Sequence, residues 1–158
     1  MSSRRAIITI DDFEVFCRRS FSRVLAAIDE LGDDLVNETP GLIEANSPFV
    51  IVTHTVGACE WWVGHVILGE PSNRVRDDEF AASGSVDDLH RIVGDWLASL
   101  KQRKSRIAQA TELVGSPRTQ LPLEGEWTVG AVLLHVYEEL AQHLGHLEIT
   151  ADLLTGKR

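Results

Sequence analysis

Four residues able to ligate a metal stand at helical spacing in the 158-residue sequence: His135, Glu139, His143 and His146. Offsets of four, eight and eleven align them along one edge of a single helix, provided that Trp127 to Leu154 is helical. Leu133, Leu140, Leu144, Leu147, Ala151 and Leu154 run beside them at the spacing of a core-facing seam. The ligand-type residues therefore border the seam and do not face open solvent. Any one of these histidines alone is most simply a polar residue satisfied by a neighbour or by water. Four on one edge call for more, because burying imidazoles and a carboxylate is costly unless something pairs them. A divalent metal ion does so.

Metal sites in helical bundles use inward residues of facing helices, often as i, i+3 or i, i+4 pairs on one helix. Glu139/His143 has the second spacing and His143/His146 the first, so spacing alone leaves both pairs open. An earlier helix carries His54 and His65 on one face with Ala58 and Trp61. Eleven residues separate its two histidines, about 16 Å along a helix axis, so both cannot reach one ion. His54, close to the start of that helix, completes a set of three protein ligands. Three ligands leave positions open for water, the pattern of a catalytic site. Two imidazoles and a carboxylate suit zinc foremost, and also nickel, iron or manganese.

Four helices must position these residues. The first runs from about Asp11 to Leu31, with Phe13, Phe16, Cys17, Val24, Ile28 and Leu31 on one face and Gly32 as its stop. The second opens at Ser47-Pro48, an N-cap followed by proline where a missing N–H costs nothing, and ends at Gly69. The third opens at Ser85 with Asp88 three residues on, a capping-box pattern. It carries Leu89, Ile92, Val93, Trp96, Leu97, Leu100 and Ile107, and fades at Val114-Gly115-Ser116-Pro117. The fourth is the ligand-bearing segment, stopped by Gly156. No convincing strand, repeat or low-complexity tract appears. The expectation is all-α: residues 1–158 form one four-helix-bundle domain. Its connections, 32–47, 70–84 and 115–126, exceed the roughly 2–8 residues usual in bundles, so they permit crossovers and can build the mouth of a site. The 70–84 connection is polar, with Phe80 available to anchor it.

Composition narrows the function. A formal net charge of −9 removes the broad basic footprint that nucleic acid requires. No apolar run reaches the roughly 18 residues of a membrane span, and the start Met1-Ser2-Ser3-Arg4-Arg5 lacks a signal peptide's apolar region. Cys17 and Cys59 are too few for a disulfide framework and read as small buried hydrophobes. A cytoplasmic enzyme or binding protein is expected. Lys101, Arg103, Lys104 and Arg106 form a basic cluster, read as a solvated helix face or as a patch attracting an anionic thiol or carboxylate. The second helix is apolar nearly all round, which predicts that Trp62 and Val66 are covered by the 70–84 connection or by a second subunit in a symmetric homodimer.

Several stretches together resemble the DinB-like superfamily, most closely its actinobacterial members. They are Asn46 to His54, Trp61-Trp62-Val63-Gly64-His65, Gly69-Glu70-Pro71, Arg76-Asp77-Asp78-Glu79-Phe80, Trp127-Thr128-Val129-Gly130 and Leu134 to His146. The resemblance covers nearly the whole chain. It implies a four-helix bundle holding a divalent metal near one end, through one residue early in helix two and an i, i+4 pair in helix four. Many members use three histidines, whereas the mycothiol-dependent isomerase branch uses His, Glu and His. Laid on this sequence, that pattern assigns the metal to His54, Glu139 and His143. The implied activity is a metal-dependent S-transfer or isomerisation using a small thiol, mycothiol or bacillithiol, against an electrophile. His146 is assigned as the nearby base, and Trp61 and Tyr137 as substrate contacts. The competing expectation is a non-catalytic metal or small-ligand binding protein of a stress response.

Overall fold

Helix α1 (Ile10–Leu35) starts where the Thr9 hydroxyl accepts the Asp12 N–H and the Asp12 carboxylate accepts the Thr9 N–H, a complete capping box. A computed structural model of the chain describes residues 8–115 and 127–157, and every regular element within them is helical. Phe13, Cys17, Phe21, Val24, Ile28 and Leu31 form the buried stripe of α1. Phe16, expected among them, is 47 % exposed. It lies about a quarter turn from the centre of that stripe, and Phe21 fills the core instead. Gly32 breaks the helix as expected, at φ 64° and ψ −179°, yet a further turn follows to Leu35.

Helix α2 (Pro48–Glu60) is capped by the Ser47 hydroxyl, which accepts the Val50 N–H. It continues as a π-helix over Trp61–Ile67 and ends at Leu68–Gly69, where Gly69 takes φ +67°. The wider winding breaks the α-helical register that aligns His65 with His54 in the sequence. Within the 70–84 connection a single helical turn, α3 (Arg76–Glu79), packs on α2. Helix α4 (Val86–Gln109) has the expected Ser85–Asp88 capping box, and α5 (Val129–Thr155) stops at Gly156 in the left-handed conformation. The α5 seam is Val132, Val136, Leu140, Leu144, Leu147 and Thr150. Leu140, Leu144 and Leu147 of the expected stripe are in it, whereas Leu133, Ala151 and Leu154 are only partly buried, the core-facing line being centred about 30° round the helix from the expected one.

Both α1 and α2 pack on α4 and α5, so α1 and α2 occupy opposite corners of the bundle, as do α4 and α5. The first two bundle helices, α1 and α2, thus lie across one diagonal and the last two, α4 and α5, across the other, while α2 and α4 are neighbours. The long connections from α1 to α2 and from α4 to α5 are the crossovers that this order requires. The connection 115–126 lies outside the described residues apart from Gly115. Among the described residues no helix is long and apolar enough to cross a membrane.

Two sequence expectations are corrected by packing. Trp62 and Val66 are buried within one chain, at 6 % and 0 % exposure. Trp127 stacks on Trp62, and the Val114 and Gly115 N–H groups donate to the Val66 carbonyl. The burial of these two residues therefore requires neither the 70–84 connection nor a second subunit. Three of the four residues of the basic cluster are held in ion pairs. Arg103 bridges Glu60 and Glu70, Lys104 meets Asp11 and Glu14, and Arg106 meets Glu70. These pairs tie α4 to α1 and to the α2 segment.

Candidate metal centre

His54 sits in the second turn of α2, buried, and faces α5. Its ring centroid lies 5.1 Å from that of His143, with the planes at 84°. One α5 turn before His143, Glu139 brings Oε2 to 3.6 Å from His143 Nε2. His54, Glu139 and His143 each offer one ligand atom, and these atoms all lie within 4.8 Å of one another. The i, i+4 pair comes from the α5 register, and the third donor comes from packing α2 against α5.

The charge state of the cluster suits ligation. Burial pushes the His54 imidazole down from its ordinary pKa, against the pull of the Glu79 carboxylate. The neutral ring is the form that binds a metal. The His143 imidazole beside it holds the Glu139 carboxyl below the usual carboxylate range, although desolvation opposes this. Two neutral-capable imidazoles and an ionised carboxylate, converging and half shielded from water, fit a divalent cation.

The surroundings of His54 were not legible as functional in the sequence. Its Nδ1 lies 2.8 Å from Glu79 Oε2, and Glu79 is itself buried. Arg74 donates to both Glu79 oxygens, at 2.5 Å from Nε and 2.8 Å from Nη2. Phe80 lies over His54 with ring centroids 5.1 Å apart, and the Arg76 guanidinium sits 4.8 Å above the Phe80 ring. The supposed anchor of the connection thus covers the site. In the sequence Glu79 is the last of three consecutive acids, and nothing marks it from Asp77 and Asp78.

The other sequence-assigned residues are dispersed. His146 is exposed one turn beyond His143, with ring centroids 6.5 Å apart, and burial of its inner edge pushes its pKa down. His135 leaves the ligand line and stands edge-on to Trp62 and Trp127, 3.5 Å from Glu138. His65 is satisfied locally, its Nδ1 3.0 Å from the Glu70 carbonyl, and His90 pairs with Asp29. Trp61 packs on His65, with centroids 4.2 Å apart and planes tilted by 31°, and lines a cleft of about 340 Å³ that includes Gly57, Glu60 and Arg74 but none of the three donors. Tyr137 does not face the cluster. It is two residues from Glu139, about 200° round the helix. It packs on Phe16 at 5.5 Å and lines an apolar groove of about 720 Å³ between α1 and α5.

Comparison with known proteins agrees with this arrangement at the level of fold and family. Among curated proteins none matches the chain. A conserved protein from Enterococcus faecalis, known from its crystal structure, superposes with a TM-score of 0.66. The match covers 96 % of this chain and 100 % of that one, and at 13 % identity the likeness is one of fold. The model of the family described as Mycothiol-S-transferase matches residues 12–156. That span takes in all but the first two residues of α1 and every later helix, including the three converging donors. The chain therefore belongs to the mycothiol-S-transferase family, within the DinB-like group.

Proposed function

We propose that this protein is a metal-dependent S-transferase whose thiol cosubstrate is mycothiol, with His54, Glu139 and His143 as the metal ligands. The observation that carries the reading is the convergence of those three donors, from two helices, within 4.8 Å. A divalent cation held there, zinc foremost, supplies a Lewis-acidic position that favours the thiolate form of an incoming thiol.

The chain's own residues do the rest. Both cysteines are buried; burial pushes the Cys17 thiol up to about 12 and the Cys59 thiol well above its ordinary value. Neither is a nucleophile at neutral pH, so the sulfur comes from a small-molecule thiol. His146, exposed and next to His143, accepts the thiol proton on an imidazole nitrogen. The sulfur then forms its bond to the electrophilic carbon as the leaving group departs with the bonding pair. Phe80, tilted 33° against the His54 ring at 5.1 Å, flanks one side of the donor cluster.

Elemental analysis of the purified protein beside His54→Ala and Glu139→Ala tests the ligand set. One divalent metal per chain is expected in the wild type and loss of it in both variants. Stoichiometric metal surviving both substitutions overturns the assignment. Transfer assays with mycothiol, bacillithiol and glutathione against a panel of electrophiles test the reaction. Metal-dependent turnover that prefers mycothiol is expected; turnover unaffected by metal removal sinks metal dependence. Bound metal with no turnover makes the protein a binder.

A further inference from the structure

Glu79 is the one carboxylate buried among the described residues, at 8 % exposure, and a buried charge needs partners. Arg74 neutralises it through two hydrogen bonds. The third contact, to His54 Nδ1 at 2.8 Å, does something else. An ionised carboxylate only accepts, so Nδ1 carries the proton and Nε2 is left with its lone pair free. The contact also restrains rotation of the ring about its bond to Cβ.

The backbone of α2 is cut to admit this carboxylate. A Cβ at Gly57, one turn after His54, would lie 2.2 Å from Glu79 Oε1 and 3.2 Å from Arg74 Nε. A residue without a side chain at that position lets Glu79 reach the imidazole. The next residue, Phe80, lies on the His54 ring face. A single helical turn thus addresses one imidazole twice, through its nitrogen and through its face.

We propose that Glu79 is a positioning residue for His54, fixing its Nδ1–H tautomer and ring orientation so that Nε2 is presented to a metal beside Glu139 and His143. This rests on the metal reading above. Outer carboxylates of this kind typically change metal affinity by about 10- to 100-fold when removed.

The test combines two measurements on Glu79→Ala, Glu79→Gln and Gly57→Ala. Nitrogen-15 NMR of the metal-free protein reads the His54 tautomer. Competition against a chromophoric chelator reads affinity for zinc and cobalt. Gly57→Ala reaches the carboxylate from the opposite side, removes no charge and favours the helix, so it is expected to fold where Glu79→Ala fails. The wild type is expected in the Nδ1–H form. Glu79→Ala and Gly57→Ala should show mixed tautomers and a metal affinity about 10- to 100-fold weaker. Glu79→Gln, whose amide oxygen still accepts, should keep the tautomer and most of the affinity. Unchanged tautomer and affinity in Glu79→Ala and Gly57→Ala overturn the positioning role and leave the metal site standing. A wild type that binds neither metal overturns the metal reading, and with it the proposal.

Discussion

The indole of Trp62 stacks on that of Trp127, with centroids 5.8 Å apart and planes 11° from parallel, and His135 stands edge-on to both. This pair closes the π-helical end of α2 with a residue just before α5. Trp62→Ala is expected to cost about 3–5 kcal/mol, the range for a buried large aromatic. Trp127→Ala, at a half-buried position, should cost about 1–2 kcal/mol. Urea denaturation gives both values, and near-UV circular dichroism should lose the signal of the coupled indoles in either variant. A Trp62→Ala protein as stable as wild type would mean that the stack does not cover α2 in solution.

The thiols make a second prediction. Cys17 is wholly buried and Cys59 nearly so, and burial raises both pKa values, to about 12 for Cys17. The native protein should show no fast-reacting thiol with an aromatic disulfide reagent at pH 8, and two in denaturant. One rapid equivalent in the native state would reopen the question of a protein nucleophile.

Acid should act on the start of α4. The Ser85 backbone and side chain, with Arg91 between them in strength, hold the Asp88 carboxyl down from 3.8 to about 2. The folded-state pKa is depressed, so the unfolded chain binds the proton more readily. The stabilisation is therefore fully present above about pH 4 and is lost as pH falls through about 2. Asp88→Asn should lie below wild type in stability at pH 6, and the two curves should converge towards pH 2. Parallel curves across that window would show that the capping box does not form.

Two glycines should respond to alanine in opposite directions. Gly32 takes φ 64° and ψ −179°, a region nearly closed to side chains, so Gly32→Ala is expected to cost about 1–3 kcal/mol although nothing lies within 4 Å of the added carbon. Gly94 is an exposed residue inside α4 with open space around its Cβ position, so Gly94→Ala should stabilise by about 0.5–1 kcal/mol. Thermal melts of both variants decide it. A Gly32→Ala protein of unchanged stability would remove the bend that redirects the chain after α1.

What the sequence determined by itself is what forms within a turn or two of chain. Ser47-Pro48, the Ser85–Asp88 box and the stops at Gly69 and Gly156 are local hydrogen-bond and dihedral effects, and the helices begin and end there. The spacing of Glu139 and His143 is likewise a property of one helix, although preferring that pair to His143/His146 took the family resemblance, and the arrival of His54 beside it depends on α2 packing against α5. Tertiary structure alone separated Glu79 from Asp77 and Asp78, since burial and not residue type distinguishes them. It also sent Tyr137 to the groove beside α1, turned His135 towards two indoles and covered Trp62 with Trp127. Periodicity assigns a residue to a helix face, but which face meets which neighbour is decided by contacts between residues far apart in the chain.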